Sequence, residues 1–543
     1  MYKFLSLSLF IFFNTIVISQ SSKLIVGIVV DQMCLDYLYR FEKKFSENGF
    51  KKLMEKGTFC VNTHYNYVPT YTGPGHASIY TGTTPNNHGI VANEWYDRKS
   101  KKEKYCVTDS TVKTIGNTNS SGEFSPRNLK TLTITDQLKL TYSKSKVVSI
   151  SLKNRSAILP GGHLSDGTYW YDNESGNMVS STFYKKQIPN WVNDFNEKKM
   201  VDAWMQKEWN TLLPIQDYTE SEVDDSPYEH LIAGKSSPVF PYEFSNITDN
   251  KKYNWFTYTP FANSYLTDFT ISAIQEEKLG TDEVIDFLAL SYSTPDIAGH
   301  AFGPYSVEIE DMYLRLDKEI EKLLNYLEKN IGKNQFILFL TADHAVVPVP
   351  QYLVDKKMPG GYVFMNTIKE DLNQLLKNEF QTERLVEEIE NNNVYLNREL
   401  LANKNIQAEK VEELIANYLI QIDGIKTAYT RNQILFGDAN DKWLSMIKKG
   451  YRHQESGDLI FVLEPGYLPK SKPNENTHKG TSHGSAFNYD THVPLLWYGN
   501  NIPSQKIVHL VEITDIVPTL APILKISLPS TCIGKPIEEL FKK

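Results

Sequence analysis

Three aspartates, three histidines, a lysine and an arginine sit just beyond short apolar runs of this 543-residue chain. Asp31 closes the run KLIVGIVVD. Lys153 closes KVVSISLK, and Arg155 follows two residues later. IDFLALS leads into Ser293-Thr-Pro-Asp296-Ile-Ala-Gly-His300, and QFILFLT leads into Thr341-Ala-Asp343-His344. A loop before VPLLWY carries Gly480-Thr-Ser-His483-Gly. Carboxylates and imidazoles in this proportion suit two Zn²⁺ ions with open coordination positions. Each piece alone is weak. An Asp at a strand end is ordinarily a turn former or a helix cap, and a lone loop His is ordinarily a surface residue. Asp343 and His344 serve one metal only if the chain bends between them. Only their co-occurrence is telling.

A nucleophile candidate lies in Tyr67-Val-Pro-Thr70-Tyr-Thr72-Gly-Pro-Gly-His-Ala-Ser, with a helix expected to follow through about Tyr80. Two readings of Thr72 stay open. It caps the helix, since Thr before Gly-Pro is a start signal. Or the free N–H groups and positive dipole of that helix end hold a phosphoryl group beside a metal-activated hydroxyl. His76 and His88 nearby read as structural.

These residues need a frame. The five apolar runs read as buried parallel strands. Helical patterns lie between them, as at Ile309–Asn325 and Lys410–Ile422. The alternation predicts an α/β fold with a doubly wound, mostly parallel sheet and helices on both faces. Ligands of such sheets bind beyond the carboxyl ends of the strands, where the chemical residues fall. Two stretches break the alternation. Residues about 160–247, rich in Tyr, Trp, Asn and Pro, read as an inserted cap. Residues about 360–435 read as a small α/β lobe with strands near Val394–Leu396 and Ile425–Thr430. Both read as insertions in one domain spanning residues 21–543.

Composition narrows the class. Lys and Arg number 57 against 65 Asp and Glu, giving a net charge of −8, and 41% of residues are hydrophobic. That excludes a disordered chain and argues against a nucleic-acid binder. It also poses a question: an anionic substrate must be attracted locally, against the field of the whole protein. Lys3 and the apolar stretch Phe4–Ile18 predict a secretory signal over residues 1–20 and an exported, periplasmic or extracellular protein with no membrane span in the mature chain. Export permits disulfides among Cys34, Cys60, Cys106 and Cys532; four cysteines allow three full pairings that the sequence does not decide between, and Cys60–Cys106, which flank one compact segment, is the pair guessed at.

Taken together, Val30-Asp31, Thr70-Tyr-Thr72-Gly-Pro-Gly-His, Gly89-Ile-Val-Ala-Asn93, Lys153-Asn-Arg155, Asp296-Ile-Ala-Gly-His300, Ala342-Asp343-His344 and Thr481-Ser-His483-Gly resemble the alkaline phosphatase superfamily. The pattern is most similar to the single-chain, phosphate-irrepressible alkaline phosphatases (PafA type). The Cys/Ser-x-Pro-x-Arg signature of sulfatases is absent at Thr72. The resemblance implies an alkaline-phosphatase-like fold and hydrolysis of small phosphate monoesters through a phospho-threonine. It implies one zinc held by Asp296, His300 and His483. The other is held by Asp31, Asp343 and His344, with Thr72 bound to it as nucleophile. Asn93, Lys153 and Arg155 are implied to bind the non-bridging phosphoryl oxygens. With two Zn²⁺, three Asp, Lys153, Arg155 and an ionised Thr72, the site carries a charge of about +2, which matches a monoester dianion. A phosphodiesterase or nucleotide pyrophosphatase on the same fold is the alternative. A metal- or phosphate-binding protein without turnover is a further one.

Overall fold

The apolar runs become the centre of one eleven-stranded sheet in a computed structural model that describes residues 22–247, 251–438, 440–474 and 476–542. Six of its strands position the site: β1 (Leu24–Val30), β2 (Thr58–His64), β3 (Val147–Ser151), β4 (Asp286–Tyr292), β5 (Phe336–Thr341) and β6 (His492–Gly499). Their spatial order is β2-β6-β5-β1-β4-β3. Every residue of β1, β3, β4 and β5 is buried. This is why they read as unbroken apolar runs: helices cover both faces of the sheet. β1 pairs in parallel with β5 (Leu24 opposite Phe336) and with β4 (Leu24 opposite Asp286), and β4 pairs in parallel with β3. Their carboxyl ends, and the Asp and Lys residues just beyond them, therefore share one edge.

The run Val493–Tyr498 is a strand, but it is antiparallel to β5 and not parallel as expected (Leu338 opposite Tyr498). This reversal has a chemical consequence. A loop preceding a parallel strand would lie at the opposite edge of the sheet. Because β6 runs backwards, the loop before it, with His483, reaches the carboxyl edge. β2 was not legible as a strand, since TFCVNTH has an apolar run of only three residues, Phe59-Cys60-Val61, before the polar Asn62-Thr63-His64. It is antiparallel to β6, so it runs with β1, and the chain leaving it delivers Thr72 to the same edge.

The helices that hold the chemistry are α1 (Thr72–Thr81), α2 (Asn154–Gly161), α3 (Thr294–Phe302) and α4 (Val307–Leu327). α4 begins at Ser306, whose hydroxyl caps Ile309 N–H, and buries an apolar stripe including Ile309, Leu316, Ile320 and Leu324. No helix among the described residues is long and apolar enough to cross a membrane. The expected leader, residues 1–20, lies outside the described residues.

Within the stretch 160–247, Gly167–Tyr171 and Met178–Ser181 extend the main sheet beyond β3. The later stretch carries a separate four-stranded sheet, ordered Val386–Glu390, Asn393–Leu396, Leu459–Leu463, Ile425–Thr430. Helices Met365–Phe380 and Ala408–Leu419 bury Leu372, Leu376, Val411 and Ile415 in its own core. That sheet reaches past residue 435, because Leu459–Leu463 returns to lie between Asn393–Leu396 and Ile425–Thr430.

All four cysteines are free thiols, which corrects the expected Cys60–Cys106 disulfide. Cys60 is buried in β2, paired with β6. Cys106 is buried against the start of α1, its Sγ 3.3 Å from where a Cβ on Gly73 would lie. Spacing in the chain does not report that distance in the fold.

Candidate active site

Asp31 follows β1, Asp343 and His344 follow β5, Lys153 and Arg155 lie between β3 and the first turn of α2, and Asp296 and His300 lie one turn apart on α3. Thr72 opens α1 and His483 comes from the loop before β6. The fold brings all of them to one edge and buries most of them. Asp31, Asp343 and His344 are fully enclosed, and Thr72 is 1% exposed.

Thr72 is the first helical residue, and the cap position belongs to Tyr71. No side chain caps this helix end. The Thr72 hydroxyl is therefore not spent on capping. It lies 3.4 Å from His344 Nε2 and 3.4 Å from Arg155 Nη2. Gly73 N–H donates to Asn93 Oδ1 at 2.7 Å, which fixes Asn93 beside the helix start. Gly75 lets α1 approach the loop after β5, because a Cβ there would stand 2.3 Å from the Asp343 carbonyl oxygen.

Two groups of candidate ligands emerge. Ligand atoms of Asp296, His300 and His483 lie within 4.8 Å of one another, and so do those of Asp31, Asp296 and His344. Asp343 Oδ2 is 3.6 Å from His344 Nε2. Asp296 thus stands between the two groups. The His344 and His483 rings stack at 3.5 Å between centroids. Each imidazole is tethered in the same way: Nδ1 of His300, His344 and His483 meets the backbone carbonyl of Thr481, Ala345 and Thr70 respectively, at 2.8, 3.0 and 2.8 Å. Such a bond places the proton on Nδ1 and leaves the Nε2 lone pair facing the carboxylates, which is the tautomer a metal needs.

The electrostatics point the same way. Burial, reinforced by Asp296 and Asp343, pushes Asp31 well above the usual carboxylate range. Burial pushes Asp343 up to about 7. Burial also acts on Asp296, but His300 and Lys153 outweigh it and hold that carboxyl well below its ordinary value. Burial and the neighbouring His483 push His344 down. Asp31 Oδ1 and Asp343 Oδ2 are buried without a hydrogen-bond partner. Against its burial, His300 is raised in turn by Asp296, while burial lowers His483. Buried carboxylates with orphaned oxygens, and imidazoles tethered at Nδ1 with Nε2 turned to those carboxylates, form a donor set that fits divalent cations.

Lys153 Nζ bridges the groups, 2.7 Å from Asp31 Oδ2 and in contact with Asp296 Oδ2. Arg155 is aimed by groups that sequence reading missed. Its Nη1 donates to the Tyr105 hydroxyl at 3.1 Å, that hydroxyl donates to Asn154 Oδ1, and Arg155 Nε is left buried and unpartnered. Tyr105 lies 50 residues from Arg155 in the chain, so no local pattern announces it. Gln32 was also missed: its backbone N–H reaches Asp343 and its side chain reaches Asp296. His88 is internal, bonded to Ser78. His76 is internal too, but it touches the site, with Nδ1 2.9 Å from the Thr72 carbonyl and 3.2 Å from Asp343 Oδ2.

Residues 25–486 match the family model for type I phosphodiesterase / nucleotide pyrophosphatase. Alkaline phosphatase PhoV of Synechococcus elongatus is 41% identical over 96% of this chain and 93% of its own. Alkaline phosphatase PafA of Elizabethkingia meningoseptica is 39% identical over 96% of this chain and 94% of its own. A crystal structure of alkaline phosphatase PafA superposes with a TM-score of 0.91 at 38% identity, covering 96% of this chain and 99% of that one. Murine ectonucleotide pyrophosphatase / phosphodiesterase 5 shares the fold at 14% identity, with a TM-score of 0.52 over 93% of this chain and 95% of that one.

Proposed function

The chain belongs to the type I phosphodiesterase / nucleotide pyrophosphatase family and is an alkaline phosphatase, a phosphoric monoester hydrolase, and on that premise we propose how it works. Asp296, His300 and His483 would hold one Zn²⁺, and Asp31, Asp343 and His344 would hold the other. When bound, the ions supply Lewis acidity that favours the Thr72 alkoxide and stabilises the leaving oxygen. Thr72 Oγ attacks phosphorus in line, forming one O–P bond as the ester O–P bond breaks. The alcohol departs and Thr72 carries the phosphoryl group. Water then attacks phosphorus, inorganic phosphate leaves, and the Thr72 hydroxyl is restored.

One observation carries this reading: a buried hydroxyl that caps nothing stands 3.4 Å from both a tethered imidazole and a guanidinium. Arg155 Nη2 and its unpartnered Nε form a fork suited to two phosphoryl oxygens. Asn93 has spent its acceptor end on Gly73, so its NH₂ end is the one left to donate to an anion. Lys153 adds a point charge between the metal positions. This cationic set favours a dianionic monoester over a diester, which carries one charge fewer and a second organic group. Our reading of residues 1–20 as an export signal supports a periplasmic or extracellular enzyme.

The test compares a phosphate monoester with its methyl diester at one pH. The monoester should be the far better substrate, and activity lost to a chelator should return with zinc. Thr72→Ala should retain both zinc equivalents by elemental analysis while turnover falls to background. Wild-type-like turnover in that variant ends the nucleophile assignment.

A further inference from the structure

Gln32 is the residue after Asp31, 1% exposed, and held at φ +68°, a left-handed conformation that a side chain other than Gly or Asn seldom adopts. Strain at a buried position persists where the surroundings demand it, and here both halves of the residue are engaged. Its backbone N–H donates to Asp343 Oδ1 at 3.2 Å. Its side-chain Nε2–H donates to Asp296 Oδ1 at 2.8 Å. Asp296 Oδ1 is the oxygen that also faces His300 Nε2 at 3.2 Å and His483 Nε2 at 3.5 Å. A carboxylate oxygen has two lone pairs, so the Gln32 amide occupies one side of that oxygen and leaves the other turned to the imidazoles.

The opposite side of the contact is shaped to match. A Cβ on Gly299 would lie 1.9 Å from Gln32 Oε1. Gly299 sits inside α3 between Asp296 and His300, where Ala would be the better helix former. The helix gives up that propensity at the one position where the Gln32 amide must pass.

We infer that Gln32 is a positioning residue joining the two metal positions: its backbone orients Asp343 and its amide orients Asp296 for the ion that Asp296, His300 and His483 hold. The inference rests on the two-zinc reading of the site. Hydrogen bonds to ligating carboxylates set their orientation, and their removal lowers metal affinity by about 10–100-fold.

Zinc binding measured by competition with a chromophoric chelator tests it on the full chain. Wild type should bind two equivalents; fewer than two ends the two-zinc reading, and this inference with it. Gln32→Met keeps the backbone N–H and the length of the side chain but lacks the amide. Gln32→Gly keeps the N–H and relieves the left-handed strain, which guards against failure to fold. In both, one equivalent should weaken about 10–100-fold while the other stays as in wild type and the melting temperature of the metal-free protein is not lowered. Gly299→Ala, acting from α3, should weaken the same equivalent. Two equivalents of wild-type affinity in both Gln32 variants overturn the inference with the two-zinc reading intact. Equal weakening of both equivalents together with a lowered metal-free melting temperature in both also overturns it, because that is the mark of a structural role alone.

Discussion

At the scale of single residues, the site separates groups that hold charge from groups that aim them. Arg155 faces Thr72 through Nη2 while Tyr105 receives Nη1. Arg155→Ala removes the planar fork and should lower monoester kcat/KM by about 10²–10³, the usual cost of losing a donor to developing charge. The diester should lose much less, since it offers less charge to clamp. Steady-state kinetics on both substrates decide it, and equal losses would refute the monoester argument. Asp31, Asp343, His344, Lys153 and Thr72 were singled out in the sequence because each stands at the end of an apolar run or the start of a helix, and the fold brings them together with Asp296, His300 and His483. Two of their partners were not: Tyr105 and Gln32 reach the site by contacts that no spacing encodes. Whether Thr72 caps its helix was undecidable from sequence, since a cap and a nucleophile occupy adjoining positions. The backbone places Tyr71 at the cap and frees the hydroxyl.

At the scale of elements, the site depends on how closely α1 approaches the loop after β5. Gly75 permits it, with the Asp343 carbonyl 2.3 Å from the place of a Cβ. Ala at that position is a good helix residue, so any loss reports the clash and not the helix. Gly75→Ala should cost about 1–3 kcal/mol of stability through overpacking and about 10²-fold in kcat, because a shift of about 1 Å misaligns Thr72. Thermal melts and single-turnover rates would measure the two, and unchanged kcat would show that α1 tolerates the displacement. The antiparallel direction of β6 is the element-level fact the sequence withheld. An apolar run states burial, not direction, because both orientations bury the same side chains.

For the whole molecule, the net charge of −8 says little about the substrate, since the anion-binding groups are gathered at one edge of the sheet. Elsewhere the fold buries acids of its own. Glu308 near the start of α4 accepts a hydrogen bond from Tyr242 of the insertion at 2.5 Å, and burial pushes its carboxyl up to about 8. Burial and Glu308 push the insertion's Glu229 up further. The folded state therefore keeps a proton on Glu308 that the unfolded chain releases above the ordinary carboxylate range. Folding takes up a proton in that window, so stability falls as pH rises from about 5 to about 8. Glu308→Gln keeps the acceptor for Tyr242 and removes the titration. Its melting temperature relative to wild type should rise steadily across that window; a pH-independent difference would show that Glu308 folds ionised.

The sequence by itself determined the fold class, the four parallel strands at the centre of the sheet and the residue types at their carboxyl ends. Buried strands are bounded apolar runs, and the residues just beyond them must turn and meet solvent or ligand. Tertiary structure alone decided the direction of β6, the presence of β2, the free state of the cysteines, the position of Asp296 between both ligand groups and the double contact of Gln32. Those are distances between residues remote in the chain, set by how layers pack, and packing leaves no periodic trace in the order of amino acids.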